Sequence, residues 1–181
     1  MKGSLFSFIS SLFSGHNVRA ALVGGYALIA NKVQRTTFDV DFMITAADCN
    51  KIEPDLLGAG YGVFNRQDAF VQFKSDRPGF RDIDFLITDE HTLEKIITDG
   101  TSITIAGASF FVPSVMHLIE MKLHSISGNK RRELKDFPDI VQLLSANAID
   151  PKGGTVRNLF EKYGLQSLYE RLTDSFGEAD G

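Results

Sequence analysis

VGGYALIANKVQRTTFDVDFMI, residues 23–44, carries the two signals that decide the fold. It opens on Gly24-Gly25 at the end of the apolar run VRAALV (18–23), which reads as a strand entering a tight turn. Tyr26 to Val33 is rich in helix formers, so a helix is expected next. Phe38 to Ile44 then alternates with period two, as a half-buried strand does. That alternation puts Asp39 and Asp41 on one face and Phe38, Val40 and Phe42 on the other, so two carboxylates stand side by side on an otherwise apolar strand.

Downstream, RDIDFLIT (81–88) repeats this design, with Asp82 and Asp84 on one face and Ile83, Phe85 and Ile87 opposite. Between the acidic strands, residues 46–57 read as a helix stopped at Gly58 and Gly60. The runs 62–65 and 70–74 read as a hairpin with Asp68 near its turn, and 76–79 as a further turn. A short helix at 92–97 and edge strands at 102–105 and 109–112 follow. Helices are expected at 114–124 and 132–144, with Pro138 marking a kink or a later start near Phe137. The tail, 154–176, reads as two helices split at Gly164, and residues 177–181 are expected to fray. Ahead of the glycine pair, Leu5, Phe8, Ile9, Leu12 and Phe13 recur at helical spacing between serines. This is the stripe of a helix docking on a core rather than a signal peptide, since no small-x-small cleavage site follows.

The expected architecture is α/β, more closely α+β: a mixed twisted sheet flanked by helices, with a helical C-terminal portion. Residues 1–181 are expected to be a single domain. Residues 1–112 form the α/β core with its N-terminal helix, and 113–181 complete the cleft.

Composition narrows the chemistry. The chain has 181 residues, 43% of them hydrophobic and 23% charged, which excludes disorder. With 23 acids against 19 bases the net charge is -4, so a polyanion must be met locally rather than by a broadly basic surface. The lone Cys49 excludes a disulfide framework and cysteine-held zinc, and suits a reducing, cytoplasmic setting. No run of about 18 apolar residues could cross a bilayer, so no membrane partner is expected.

A glycine pair at a helix start, Asp-x-Asp fourteen residues later and a third carboxylate on a further strand resemble the nucleotidyltransferase (DNA polymerase beta-like) superfamily. Within it, residues 23–44 resemble the compact bacterial branch related to AbiEii/AbiGii-type toxins. The likeness extends to Lys122 in LIEMKLH and to LKDFPDIVQLL, and spans about Val18 to Leu144. It implies transfer of a nucleoside monophosphate from an NTP to an acceptor, with Asp39, Asp41 and Asp84 as catalytic and metal-holding residues for Mg2+ or Mn2+. Gly24 and Gly25 would lie on the triphosphate, Arg35, with Thr36 ahead of the acidic strand, would contact phosphate or orient the strand, Lys122 would reach the triphosphate, and Asp136 would close the site. Lys135, Asp139 and Arg132 stand beside Asp136 as weaker candidates. The toxin-like branch implies an RNA or tRNA acceptor and an antitoxin protein partner.

The residues support this chemistry on their own. Two-metal transfer needs oxygen ligands that clamp ions about 3.5–4 Å apart, and carboxylates two apart on a strand provide such a clamp. Asp82 shares the face of Asp84, and only the family-like context of IDFL chooses between them. Glycines let backbone amides approach phosphate at a helix start. Plainer readings stand beside these: an ordinary turn at Gly24-Gly25, a solvated flank for Lys122, helix caps for Asp136 and Asp139, and a solvated loop for Lys130-Arg131-Arg132, which could otherwise meet an RNA backbone. The scattered histidines suit structural roles, and Cys49 lacks a base to activate it. Two other functions stay in view, a small-molecule nucleotidyltransferase of the antibiotic-modifying type and a catalytically idle nucleotide- or partner-binding module.

Overall fold

The computed structural model describes residues 4–77 and 80–177; Pro78, Gly79 and residues 178–181, most of the stretch expected to fray, lie outside the described residues. The described chain falls into two units, Met1–Ala30 with Arg35–Ser114, and Asn31–Gln34 with Val115–Gly181.

The first unit runs α1 (Leu5–Gly15), β1 (Ala20–Leu22), α2 (Gly24–Ala30), β2 (Val40–Thr45), α3 (Ala46–Gly58), β3 (Gly62–Gln67), β4 (Phe70–Lys74), β5 (Ile83–Thr88), α4 (Glu90–Thr98), β6 (Thr101–Ile105) and β7 (Ala108–Val112). Its seven strands form one sheet in the order β3-β4-β5-β2-β1-β7-β6. Most neighbours are antiparallel, but β2 pairs with β5 and β1 with β7 in parallel. The sheet is thus mixed, as expected.

Local chemistry accounts for the element ends. Ser4 caps α1, Thr45 caps α3 and Asp89 caps α4, each side chain accepting from a backbone N–H three residues on. Phe42, Phe73 and Phe85 are fully buried on one sheet face, where Phe42 lies 6.1 Å from Phe85 and Phe73 meets Phe85 edge-on at 5.8 Å. Phe13 of α1 packs edge-on against Phe42 at 5.1 Å, so α1 covers that face. Within α1, Phe6 rather than Leu5 or Phe8 joins Ile9, Leu12 and Phe13 in the core. Leu5 and Phe8 sit on the margins of the same stripe and stay half-buried.

Two expected boundaries shift. The helix placed at 26–33 begins at the glycines themselves and stops at Ala30. Lys32 adopts φ 68, which no helix accommodates, and the Asn31 carbonyl accepts from Asn147 Nδ2 at 2.9 Å. That bond draws residues 31–34 into the second unit. The helix placed at 132–144 is α6 (Glu133–Ala146), which runs straight through Pro138. The bond that Pro138 forgoes would have ended on Leu134, an exposed residue whose carbonyl water can take.

The second unit is helical: α5 (Val115–Gly128), a single 3-10 turn at Lys130–Arg132, α6, α7 (Gly154–Lys162) and α8 (Gln166–Gly177). Leu118, Ile119, Leu123 and Ile126 of α5 are buried, as are Ile140, Leu143 and Leu144 of α6 and Val156 and Phe160 of α7, where these helices pack on α5. Gly164, at φ 67, turns the chain between α7 and α8, as its position in the sequence predicts.

Candidate active site

Strand register builds the acidic site. Because β2 and β5 are parallel neighbours, Asp41 pairs with Asp84 directly, and the two share the face opposite Phe42 and Phe85. Asp39 lies two residues earlier, in the bend just ahead of β2, which starts at Val40 rather than at Phe38 as expected. One carboxylate oxygen from each of Asp39, Asp41 and Asp84 lies within 4.8 Å of the others. Asp82 falls outside this group. It pairs instead with Lys74 of β4 at 3.3 Å, and both side chains are partly exposed.

Strand β1 explains why the glycines stand here. It runs antiparallel to β2 with Leu22 opposite Phe42, and Val23 N–H donates to the Asp41 carbonyl at 2.9 Å. The chain must therefore turn immediately beside the Asp41 side chain. Gly24 makes that turn at φ 59, and a Cβ there would lie 2.8 Å from Asp41 Cβ and overlap the carboxylate. At Gly25 a Cβ would lie 2.5 Å from Thr37 Cβ. The pair is needed twice over, for conformation and for room.

Three side chains that the sequence reading passed over hold the acids in place. Thr37 Oγ1 donates to Asp39 Oδ1 at 3.0 Å, and Arg81 Nη1 donates to the Thr37 carbonyl at 3.0 Å. On β4, Gln72 pairs in register with Asp84, and its Nε2 donates to Asp84 Oδ1 at 2.8 Å. Thr37 has a local signal, a hydroxyl two residues from the carboxylate it serves. Gln72 has none, because the register of the hairpin on β5 is a long-range property.

Electrostatically, Asp84 is biased toward its neutral form. Asp84 is only 8% exposed. Burial raises its proton affinity above the ordinary carboxylate range, opposed by the Gln72 hydrogen bond and reinforced by the charges of Asp39 and Asp82. Three oxygen donors gathered this closely suit a hard divalent cation, which would remove the repulsion. Mg2+ and Mn2+ both fit that donor set.

Arg35 is half-buried, with its Nε out of reach of water. Lys122 and Asp136 form a cluster of their own in the helical unit. Lys122 Nζ donates to Asp136 Oδ1 at 3.0 Å and to Asp139 Oδ2 at 2.6 Å, and Arg132 Nε donates to Asp136 Oδ2 at 2.9 Å. Both aspartates are buried within α6, so neither is the helix cap that the sequence allowed. Lys122 is no solvated flank either, with its side chain 15% exposed.

The chain has a nucleotidyltransferase-like fold, a mixed twisted sheet flanked by helices. The antibiotic-resistance factor ANT(2'')-Ia matches with a TM-score of 0.60 at 14% identity, covering 96% of this chain and 100% of that one. A nucleotidyltransferase-like protein from Paracoccidioides brasiliensis matches with 0.55 at 18%, over 92% and 90%. The lincosamide antibiotic adenylyltransferase LnuA matches with 0.55 at 16%, over 77% and 94%. No family model and no curated protein matches the sequence.

Proposed function

We propose that this protein is a divalent-metal-dependent nucleotidyltransferase that moves a nucleoside monophosphate from an NTP to an acceptor hydroxyl. The convergence of Asp39, Asp41 and Asp84 carries this reading. In the reaction the acceptor oxygen bonds to the α-phosphorus, the bridge to the β-phosphate breaks, pyrophosphate leaves, and the hydroxyl proton must be taken up.

Asp39, Asp41 and Asp84 would hold Mg2+ or Mn2+, which when bound supplies Lewis-acid polarisation of the phosphoryl oxygens and offsets the charge developing on the leaving group. Asp84 is the proton acceptor. Its Oδ1 is held by Gln72, which orients the carboxylate to take the proton from the acceptor hydroxyl. Thr37 fixes Asp39 against rotation. Gly24 keeps the space beside Asp41 clear of side chains and Gly25 the space beside Thr37, so that backbone can approach the triphosphate. Arg35 is assigned to phosphate contact. Lys122, with Asp136 as its anchor, is assigned to the triphosphate.

For the acceptor, the likeness to the toxin-type branch and the basic turn Lys130-Arg131-Arg132 favour an RNA or tRNA end, with an antitoxin as regulatory partner in the cytoplasm. A small hydroxyl acceptor of the antibiotic type is the second reading, favoured by the fold shared with ANT(2'')-Ia and LnuA. Incubation with each radiolabelled NTP, Mg2+ and a mixed pool of RNA and antibiotics is expected to label one acceptor class. Asp41→Asn should lower labelling at least ~100-fold, since loss of a metal ligand removes several kcal/mol of transition-state stabilisation. Tight NTP binding without any labelling would instead identify an idle binding module.

A further inference from the structure

The face that carries the three carboxylates continues across β4 onto the edge strand β3, and β3 is built irregularly there. Val63 pairs with Phe73 and Asn65 with Gln72, so Phe64 is an extra residue in a β-bulge. A regular strand would send Phe64 and Asn65 to opposite faces. Here Asn65 lies opposite Gln72, the partner of Asp84, while Lys74 Nζ, which ion-pairs with Asp82, sits 3.9 Å over the Phe64 ring. Both residues therefore share the catalytic face. Phe64 is 65% exposed, a large aromatic surface held out to solvent beside a row of polar groups. With strands about 4.8 Å apart, β3 lies about 10 Å from β5, the reach of a nucleotide whose ribose hydroxyl meets Asp84 and whose base extends outward.

We infer that the bulged β3–β4 hairpin is the acceptor platform, and that it takes a single-stranded RNA end by stacking a base on Phe64. This rests on the nucleotidyl-transfer reading of the carboxylate site and names its substrate class. Lys74 orders the ring from one side by a cation–π contact and leaves the other free for a base. Asn65 offers an amide to the base edge or ribose, and Gln72 links that end of the platform to Asp84. Stacking suits an acceptor recognised by its planar face rather than by its charge, in a protein whose net charge is -4. A polycationic antibiotic would be repelled by the ammonium of Lys74, which already covers one face of the Phe64 ring.

The test titrates the full chain with a short fluorescein-labelled single-stranded oligoribonucleotide by anisotropy, without NTP, and measures NTP and Mg2+ affinity separately. Phe64→Ala is expected to weaken RNA binding roughly tenfold and Phe64→Trp to restore it, as base–aromatic stacking requires. Unaltered NTP affinity in Phe64→Ala reports an intact fold. RNA affinity indifferent to residue 64, or labelling of an aminoglycoside in preference to RNA, overturns the platform and leaves the transferase reading standing. Absence of NTP binding by the unmodified chain overturns both.

Discussion

Gly24 shows most directly how a single position ties backbone conformation to chemistry. Its φ of 59 costs a residue with a Cβ about 1–2 kcal/mol, and that Cβ would also push the Asp41 carboxylate aside. Gly24→Ala is therefore expected to lower stability by about that amount in a denaturant titration and, on the proposed function, to reduce transfer far more, at least ~100-fold, by displacing an oxygen assigned to the metal. Equal and small losses in both measurements would show that the glycine serves the turn alone. At this scale much of the site was legible in the sequence. Asp39 and Asp41 follow from period-two alternation, and the glycine pair from punctuation between a strand and a helix. Choosing Asp84 over Asp82 was not possible from residues, because alternation places both on the same face of the expected strand. Only the parallel pairing of Asp84 with Asp41 and the capture of Asp82 by Lys74 separate them.

Among the elements, α5 and α6 are joined by charge as well as by apolar packing. Lys122 and Arg132 face Asp136 and Asp139, two cations against two anions, with Asp136 only 1% exposed. Removing one partner of a buried pair leaves an uncompensated charge. Lys122→Met should destabilise the helical unit by about 3 kcal/mol, read as lost hydrogen-exchange protection in α5 and α6 while the sheet strands keep theirs. Adding Asp136→Asn and Asp139→Asn should recover part of that loss; no recovery would mean that Lys122 acts through packing rather than charge. Helix existence here followed from apolar spacing, and the residues LKDFPDIV pointed to this segment. The helix expected from Arg132 does begin ahead of Pro138, at Glu133; what the spacing could not show is that residues 31–34 leave the sheet unit to meet Asn147, which depends on a contact made far along the chain.

For the whole molecule, the acidic cluster links stability to pH and, on the proposed function, to metal. The folded-state proton affinity of Asp84 lies above its unfolded value, so its ionisation in the fold is unfavourable. That contribution sets in as pH rises above the ordinary carboxylate range, near 4, and is complete above the raised folded value. Metal-free protein should thus lose a little stability as pH rises through that window, and Mg2+ should restore it. At neutral pH, Mg2+ at about 100 times its dissociation constant is worth ~2.7 kcal/mol, several degrees in melting temperature for a chain this size. The metal-induced shift should shrink as pH falls and Asp84 takes up its proton. A Mg2+ shift that is absent, or that does not change with pH, would contradict a metal site at these carboxylates.

The amino-acid sequence by itself determined the succession of strands and helices, the two acidic strands, and the glycine turn between the first strand and its helix. These are written in periods of two and of three to four residues, and in the conformational preferences of glycine, all of which act over a few positions. Only the tertiary structure decided that β5 lies parallel to β2 in the register that sets Asp84 beside Asp41. It alone also decided that Gln72 and the bulged Phe64 share the face of those acids, and that Lys122 is already held by two aspartates. Strand order and register between segments dozens of residues apart arise from burying one face of the whole sheet at once, and no local pattern encodes them.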